Sequence, residues 1–163
     1  MMGGPRWLNE QERRAWLAFL TAAGLLNRRL DQQLERDAGL SHLQYEILVR
    51  LADAPESELR MSELAAALLN SKSKLTYQID RLEHAGLVHR RSCRTDMRAV
   101  YAVLTDAGRD ALERAAPGHV AAVRDLFIDV LTPEQLTAIA DGLDNVGRRL
   151  RTPPHPTRSS RHG

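Results

Sequence analysis

Cysteine is nearly absent from this sequence, because Cys93 is the only one among 163 residues. One cysteine cannot close a disulfide within the chain, and such cysteine usage is typical of a reducing compartment. No apolar run is long enough to span a bilayer, and the first residues lack the apolar core and the cleavage site of a signal peptide. We therefore expect a cytoplasmic protein with no membrane partner.

Motifs of enzymes and metal sites are also missing. The sequence contains no phosphate-binding glycine loop, no nucleophile elbow and no zinc-hydrolase motif. Its six histidines do not show the spacing of metal ligands on one helical turn. We therefore expect no catalytic residues, no metal and no cofactor, and we do not expect an enzyme.

Lysine is rare as well, because only Lys72 and Lys74 are lysines among the 23 basic residues. The formal net charge is +2, but the last sixteen residues hold five arginines and no acid, which leaves 18 basic against 21 acidic residues elsewhere. Within that acidic remainder, residues 71–98 hold seven basic and three acidic residues. A basic patch on an acidic body is typical of a protein that binds a phosphate backbone.

Apolar periodicity describes the first part of the chain. Apolar residues three and four apart predict a long helix over about 9–37, ended by Gly39. A capping box at Ser41 predicts the start of a second helix. Pro55 and several charges interrupt the period over 53–60, so we expect a loop there.

Two short helices and two strands are predicted next. We expect Ser62 to cap the helix SELAAALLN, and Gly86 to end the helix SKLTYQIDRLEHA. The second helix carries basic and hydroxyl residues at its start, so the pair has the outline of a helix-turn-helix. The segments LVHRRS and AVYAVL then predict two strands of a hairpin, with the polar CRTDMR between them.

The C-terminal part of the chain predicts two more helices. Thr105 caps the first, which Pro117 is expected to kink or divide. Thr132 caps the second, and Pro133 occupies its first helical position. Residues 152–163, which are rich in proline, serine and arginine, predict a disordered basic tail because they have no apolar face to bury.

The predicted fold class is mainly α with a small β-hairpin wing (α+β). We expect one domain over 1–151, in which a winged helix-turn-helix over about 41–105 is flanked by N- and C-terminal dimerisation helices over about 9–37 and 106–151. A homodimer is expected because one small winged domain cannot cover the apolar faces of two long amphipathic helices.

The run from Ser62 to Thr105 resembles the multiple antibiotic resistance regulator (MarR) family, above all in SKLTYQIDRLEHAGLVHRR, DMR and VYAVLT. In the family, the wing contains either an Asp followed by two Arg, or an Asp and an Arg separated by any one residue. This chain reads Asp96, Met97, Arg98. The resemblance implies a homodimeric regulator of transcription that binds a pseudo-palindromic operator in double-stranded DNA. It also implies a repressor that is released by a small, phenolic or anionic effector.

The chemistry of the wing nominates Arg98 for insertion into the minor groove, where the negative potential attracts an arginine. We expect Asp96 to hold the Arg98 guanidinium in a bidentate pair. Arg94 and Arg91 then remain for phosphates, or one of them merely keeps the hairpin soluble.

The second helix of the helix-turn-helix is the recognition helix. We expect its first turns to contact the bases, because only its N-terminal part and one face can reach base edges. The candidate DNA-binding residues there are Ser71, Lys72, Ser73, Lys74, Thr76 and Tyr77, with Arg81 placed for a phosphate. Either lysine alone could equally belong to a solvated face.

The resemblance also implies an effector pocket between the dimerisation helices and the DNA-binding lobe. Trp16 and Phe19 on the first helix, and His42 and Tyr45 on the second, are the candidate pocket residues. Aromatic residues at these spacings belong more often to a core than to a pocket, so both interpretations stay open.

Three other functions also stay open. Flanking arginines can lower the pKa of Cys93, which would suit a redox-responsive regulator, although the chain has no second cysteine to resolve an oxidised one. The winged helix could instead be a protein-interaction module, or an architectural DNA binder without sequence preference. The polar recognition face disfavours the interaction module, and the acidic body disfavours the architectural binder.

Overall fold

The computed structural model of the protein describes residues 5–93, 96 and 98–151. Within these residues the helices are α1 (Glu10–Ala38), α2 (His42–Asp53), α3 (Met61–Ala67), α4 (Lys72–His84), α5 (Asp106–Val123) and α6 (Pro133–Arg151). The strands are β1 (Glu58–Arg60), β2 (Val88–Ser92) and β3 (Val100–Leu104). This mainly helical chain with a small sheet confirms the predicted fold class. The described residues form two compact units, one within 5–123 and one over 124–151, which are described separately, and the domain boundary at residue 151 stays a prediction.

The first two helices begin and end at local capping signals. The Asn9 side chain accepts the backbone N–H of Glu12 at 2.8 Å, and the Glu12 carboxylate accepts that of Asn9 at 2.8 Å. Gly39 ends α1 in the left-handed conformation, with φ 65°. A second capping box at Ser41 starts α2 as predicted. These helix ends are confirmed because each depends only on residues within one turn.

The core of the first unit lies where α2, α3 and α4 pack against the sheet. Its fully buried side chains are Ile47, Leu48, Leu51, Leu64, Leu75, Ile79, Leu82 and Val88. The start of α3 differs from the prediction, because the helix begins at Met61, one residue before Ser62. The backbone N–H of Arg60 donates to the Glu63 carboxylate at 3.3 Å, so Arg60 and not Ser62 occupies the cap position.

The sheet has three antiparallel strands in the order β1-β3-β2. The hairpin strands β2 and β3 are confirmed, but the prediction of a loop over 53–60 is wrong in its second half. Only Pro55–Ser57 is a short 3₁₀ turn, and β1 follows it directly. A three-residue strand has no detectable period of its own. It exists because Leu59 lies opposite Ala102 of β3.

The first turn of α5 packs closely against the backbone at Leu87, just before β2. The Thr105 hydroxyl accepts the N–H of Gly108 at 3.0 Å, which confirms the predicted cap. A Cβ at Gly108 would lie 2.1 Å from the carbonyl oxygen of Leu87, so only glycine permits this approach. The helix runs unbroken through Pro117 to Val123, and the predicted division there is wrong, because a proline removes one donor and need not stop the helix.

The second unit contains a π-helical turn, Arg124–Ile128, and α6. The Thr132 hydroxyl accepts the N–H of Gln135 at 3.3 Å, and the Gln135 side chain accepts that of Thr132 at 2.9 Å, which confirms the predicted start. Helix α6 has no buried residue along its described length. None of the helices in the described ranges is long and apolar enough to cross a membrane.

Candidate nucleic-acid interface

The recognition helix α4 has one buried and one exposed side. Leu75, Ile79 and Leu82 are buried in the core. The predicted DNA-binding residues of this helix and its cap are all exposed: Ser71, Lys72, Ser73, Lys74, Thr76, Tyr77 and Arg81. The 3.6-residue period of the helix accounts for this separation, because three- and four-residue steps keep the three buried side chains on one side.

Two of these residues contact each other one turn apart. The Arg81 guanidinium lies 3.5 Å from the Tyr77 hydroxyl, and its Cζ lies 6.0 Å from the centre of the Tyr77 ring. The Tyr77 side chain is nevertheless 57% exposed. The pair therefore presents an aromatic face and a cation together on the outside of α4.

Near the tip of the wing, Asp96 accepts two hydrogen bonds from the backbone. The carboxylate of Asp96 accepts the backbone N–H of Arg98 at 3.0 Å, and its carbonyl accepts the N–H of Ala99 at 2.9 Å. The expected contact was a bidentate pair with the Arg98 guanidinium, whereas the contact seen is with the Arg98 backbone. Arg98 itself is exposed, and Arg94 lies outside the described residues.

Arg90 is fully engaged inside the fold. Its guanidinium donates to Glu83 at 2.5 Å, to the Thr76 carbonyl at 3.3 Å and to Asp80, and its backbone N–H donates to Glu83 at 2.8 Å. Asp80 and Glu83 belong to α4 and Arg90 to β2, so this ion-pair network joins the wing to the recognition helix.

Arg91 is engaged on the other side of the sheet. Its guanidinium donates to both oxygens of Glu58, at 2.5 and 3.2 Å, and lies 4.7 Å from the ring centre of Tyr101. The hydrogen bonds to Glu58 raise the pKa of Arg91. Arg91 is exposed, but two hydrogen bonds to Glu58 pair its charge within the fold, and its role as a phosphate ligand stays a prediction.

A cleft opens between the start of α3, the first turns of α4 and the part of the wing around Asp96 and Arg98. We call it the wing cleft; its volume is about 420 Å³. Its lining includes the side chains of Arg60, Lys72, Thr76, Arg90, Asp96 and Arg98. Three of these were predicted from the sequence to bind DNA, and Asp96 was predicted to orient one of them. Arg60 was missed because it ends β1, the strand that left no periodic signal.

A second cluster joins α2 to α5. The rings of His42 and Tyr45 on α2 lie 5.5 and 4.5 Å from the ring of His119 on α5. His119 Nδ1 also lies 3.4 Å from the side-chain oxygen of Gln33 on α1. Burial, and then the neighbouring His42, lowers the pKa of His119, and burial raises the pKa of Tyr45.

The four candidate pocket residues do not meet within one chain. Trp16 and Phe19 stack on each other on α1, with ring centres 6.2 Å apart. The backbone N–H of His42 donates to the Asp31 carboxylate of α1 at 2.8 Å. Because a helix rises 1.5 Å per residue, Trp16 lies roughly 22 Å along α1 from Asp31. His119 takes the place of the α1 aromatics in the observed cluster, and nothing in the local pattern around it predicts this.

Cys93 lies half-buried just after β2, where its backbone N–H donates to the Ala99 carbonyl at 2.9 Å. Within the described ranges, no three histidine, cysteine, aspartate or glutamate side chains are grouped so that they could hold a metal ion.

The arrangement of α3, α4 and the wing defines a class of protein. A helix with exposed lysines and hydroxyls follows a short helix and a tight connection, and an antiparallel hairpin with an exposed arginine stands beside it. This is a winged helix-turn-helix of the DNA-binding type.

Comparisons with known proteins identify the family. The profile of the MarR family matches residues 40–100. The structure is similar to Sco3205 of Streptomyces coelicolor, a MarR family transcriptional regulator solved in complex with DNA, with 44% identity and a TM-score of 0.88 over 91% of this chain and 93% of that one. The chain belongs to the MarR family of transcriptional regulators, as the sequence resemblance implied.

Two relatives from Bacillus subtilis agree with this assignment. The HTH-type transcriptional regulator YfiV is 30% identical over 147 residues, which are 88% of this chain and 87% of the relative. The HTH-type transcriptional repressor YetL is 35% identical over 94 residues, which are 56% of each chain.

Proposed function

We propose that this protein is a homodimeric transcriptional repressor that binds a pseudo-palindromic operator in double-stranded DNA and is released by a small effector. The observation that carries the proposal is the exposed face of α4, with Lys72 and Lys74 at its start, beside the exposed Arg98 of the wing. These cations share a side of the fold with a helix of suitable shape for the major groove. Such a regulator acts in the cytoplasm, on the chromosome.

The predicted contact residues receive distinct roles in this proposal. Ser71, Lys72, Ser73, Lys74, Thr76 and Tyr77 face the bases and phosphates of the major groove, and Arg81 a phosphate. Arg98 enters the adjacent minor groove, with Asp96 holding the backbone that carries it. Arg94, outside the described residues, remains a predicted phosphate ligand.

A second copy of this chain is proposed to cover the apolar face of α1. The N-terminal half of that helix leaves large apolar side chains about half exposed or more within the described chain: Trp16, Leu17, Phe19, Leu20 and Leu25. The second unit independently exposes Leu143, Val146 and Leu150 on α6. A symmetric dimer presents two recognition helices to half-sites about ten base pairs apart.

Repression is supported by the name of the relative YetL. The effector is proposed to bind near His42, Tyr45 and His119, where two imidazoles and a phenol could contact a phenolic or anionic molecule. The relatives are regulators of transcription, and we propose no catalytic role for any residue.

Selection from a random duplex library by the purified protein tests the function. We expect an enriched pseudo-palindrome, a particle of twice the mass of one chain, and affinity that falls steeply with salt because phosphate contacts release counterions. Arg98→Ala should weaken binding to the selected operator while leaving the dimer intact. Arg114→Ala, at an exposed position of α5, is the matched control and should bind as the wild type does.

Other outcomes would contradict the proposal. Salt-dependent binding without an enriched sequence would indicate an architectural DNA binder. No binding to any duplex would indicate a protein-interaction module. Equal affinities of Arg98→Ala and wild type would remove the wing from the interface.

A further inference from the structure

Arg60 ends β1 beside the wing cleft, and its guanidinium is held without an ion pair among the described residues. Its Nε donates to the Tyr101 hydroxyl at 2.9 Å, and its Cζ lies 5.6 Å from the centre of that ring. This hydrogen bond raises the pKa of Arg60. The side chain thus keeps its charge, and a neutral phenol rather than a carboxylate fixes its direction.

Tyr101 is itself held in place across the sheet. Arg60 on β1 and Arg91 on β2 are both its direct register partners on β3. The Arg91 guanidinium lies 4.7 Å from the ring centre, and Glu58 holds Arg91 with two hydrogen bonds. Contacts with two arginines restrict displacement of the Tyr101 side chain, so the phenol oxygen presented to Arg60 is preorganised.

The charges that line the wing cleft leave an excess of positive charge. Arg60, Lys72 and Arg98 line it, with Asp96 as the acid on its wall. Arg90 lines it as well, but the acids of α4 already neutralise that guanidinium. The hydroxyls of Ser62 and Thr76 also line the cleft and can donate hydrogen bonds. A binding site for a phosphate typically combines an excess of cationic side chains with neutral hydrogen-bond donors.

We propose that the wing cleft binds one backbone phosphate of the operator DNA, with Arg60 as a binding residue and Tyr101 as its positioning residue. The inference rests on the proposed function, because it names one phosphate of the same interface. The phosphate source is duplex DNA because the cleft is walled by Lys72 of the recognition helix and Arg98 of the wing, the two elements that enter neighbouring grooves. A phosphate gripped between them fixes the register of both elements.

The proposal makes Arg60 a non-specific contributor to affinity. A phosphate contact carries no sequence information, so its loss weakens operator and random duplex alike. Each lost phosphate contact also reduces the slope of log affinity against log salt by about 0.9. Both effects differ from those of a residue that only stabilises the fold.

The test combines a protein variant with a DNA variant. The selected operator is made as a series in which single phosphates are replaced by neutral methylphosphonates, and affinities are measured for wild type, Arg60→Gln, Arg60→Lys, Tyr101→Phe and the control Arg114→Gln. We expect wild type to lose about tenfold at one position in each half-site, the loss that about 1.4 kcal/mol of binding free energy represents. Arg60→Gln removes the contact from both protomers of the proposed dimer, so it should bind the unmodified operator about a hundredfold more weakly, two tenfold losses, with a smaller salt slope and no further loss at that position.

The conservative variants separate positioning from charge. Tyr101→Phe keeps the ring and the cation but removes the hydroxyl, so it should weaken the contact to the same phosphate by less than Arg60→Gln does. Arg60→Lys should retain the salt slope of wild type and recover part of the affinity. Arg114→Gln should behave as wild type at every position.

Failure of this inference is distinguishable from failure of the proposed function. If wild type enriches no operator, the proposed function fails. If wild type binds its operator but Arg60→Gln keeps the wild-type affinity and salt slope, the wing cleft does not hold a phosphate. The inference is equally overturned if Arg60→Gln binds weakly yet still shows the wild-type loss at every methylphosphonate. If Arg60→Gln does not fold, Tyr101→Phe decides: we expect a smaller loss than that of wild type at the same methylphosphonate, and the wild-type loss at every position would overturn the inference.

Discussion

Removal of the Arg90 side chain tests whether the wing is held to the recognition helix by an internal ion-pair network. Arg90 of β2 contacts two carboxylates of α4, those of Asp80 and Glu83, and one α4 carbonyl, that of Thr76. Arg90→Gln keeps part of the side-chain length but abolishes the charge. The wing should then lose its polar attachment to α4 without losing an exposed cation.

The exposure of the three partners sets the expected magnitude. The side chains of Arg90, Asp80 and Glu83 are 27%, 58% and 37% exposed. Exposed ion pairs contribute about 0.2–1 kcal/mol each, and a shared, partly buried arginine belongs at the upper end. We therefore expect Arg90→Gln to reduce the free energy of unfolding by about 1–2 kcal/mol, which lowers the melting temperature by about 2–8 °C.

Operator binding should weaken as well, because a loosened wing must be ordered when DNA binds. If all of that energy is needed to orient the wing, affinity falls by up to about thirtyfold for each wing of the dimer. The salt slope should stay unchanged, since the charge of Arg90 is directed inward and releases no counterion from DNA.

Urea denaturation and operator titrations over a salt series measure both effects. Arg98→Ala is the matched comparison, because it should reduce the salt slope while leaving the urea midpoint unchanged. Arg90→Lys should restore part of the stability. A fall in the salt slope of about 0.9 for each Arg90 removed would show that Arg90 contacts a phosphate, and unchanged stability and affinity would show that the network does not hold the wing.

Three further predictions concern packing, pH and oxidation. Gly108→Ala should lower the free energy of unfolding by about 2 kcal/mol or more, because the clash with a backbone carbonyl outweighs the gain in helix propensity. In contrast, Gly24→Ala, where a Cβ meets nothing within 4 Å, should raise it by up to about 1 kcal/mol; urea midpoints that move together would refute the packing argument. Because the pKa of His119 is lowered in the folded state, the unfolded chain binds more protons, and the free energy of unfolding should fall as pH drops below about 7. Urea titrations of His119→Gln should show a weaker decline with pH. A decline identical to that of wild type would refute the role of His119. Peroxide should leave operator binding intact, and a loss of binding that Cys93→Ser abolishes would instead support redox control.

Local signals in the sequence predicted most of the element boundaries. Ser41 and Thr132 with their capping partners, and Gly39 and Gly86 with their left-handed backbone, are confirmed. Each signal concerns groups within one helical turn, so its outcome does not depend on the rest of the fold. The local signal at Pro117 was misleading. Proline disfavours a helix interior, but α5 continues through this residue because the packing of the long helix outweighs the local effect.

The partners of the charged residues could not be predicted in this way. Arg90, Arg91 and Arg98 look alike in the sequence, yet the first two form ion pairs with acids of α4 and β1, whereas the contact of Asp96 with Arg98 is to its backbone N–H. The difference depends on which strands pair and in which register, which joins residues more than thirty positions apart, such as Arg91 and Glu58.

The sequence by itself determined that this chain folds as a winged helix-turn-helix and placed an exposed polar face on its recognition helix, since helical periodicity and caps are local properties. Only the tertiary structure decided which arginines pair with acids within the fold, that Arg60 lines the wing cleft beside Tyr101, and that His119 joins His42 and Tyr45. These contacts arise from strand pairing and helix packing between distant segments, and no local pattern contains the information about where distant segments meet.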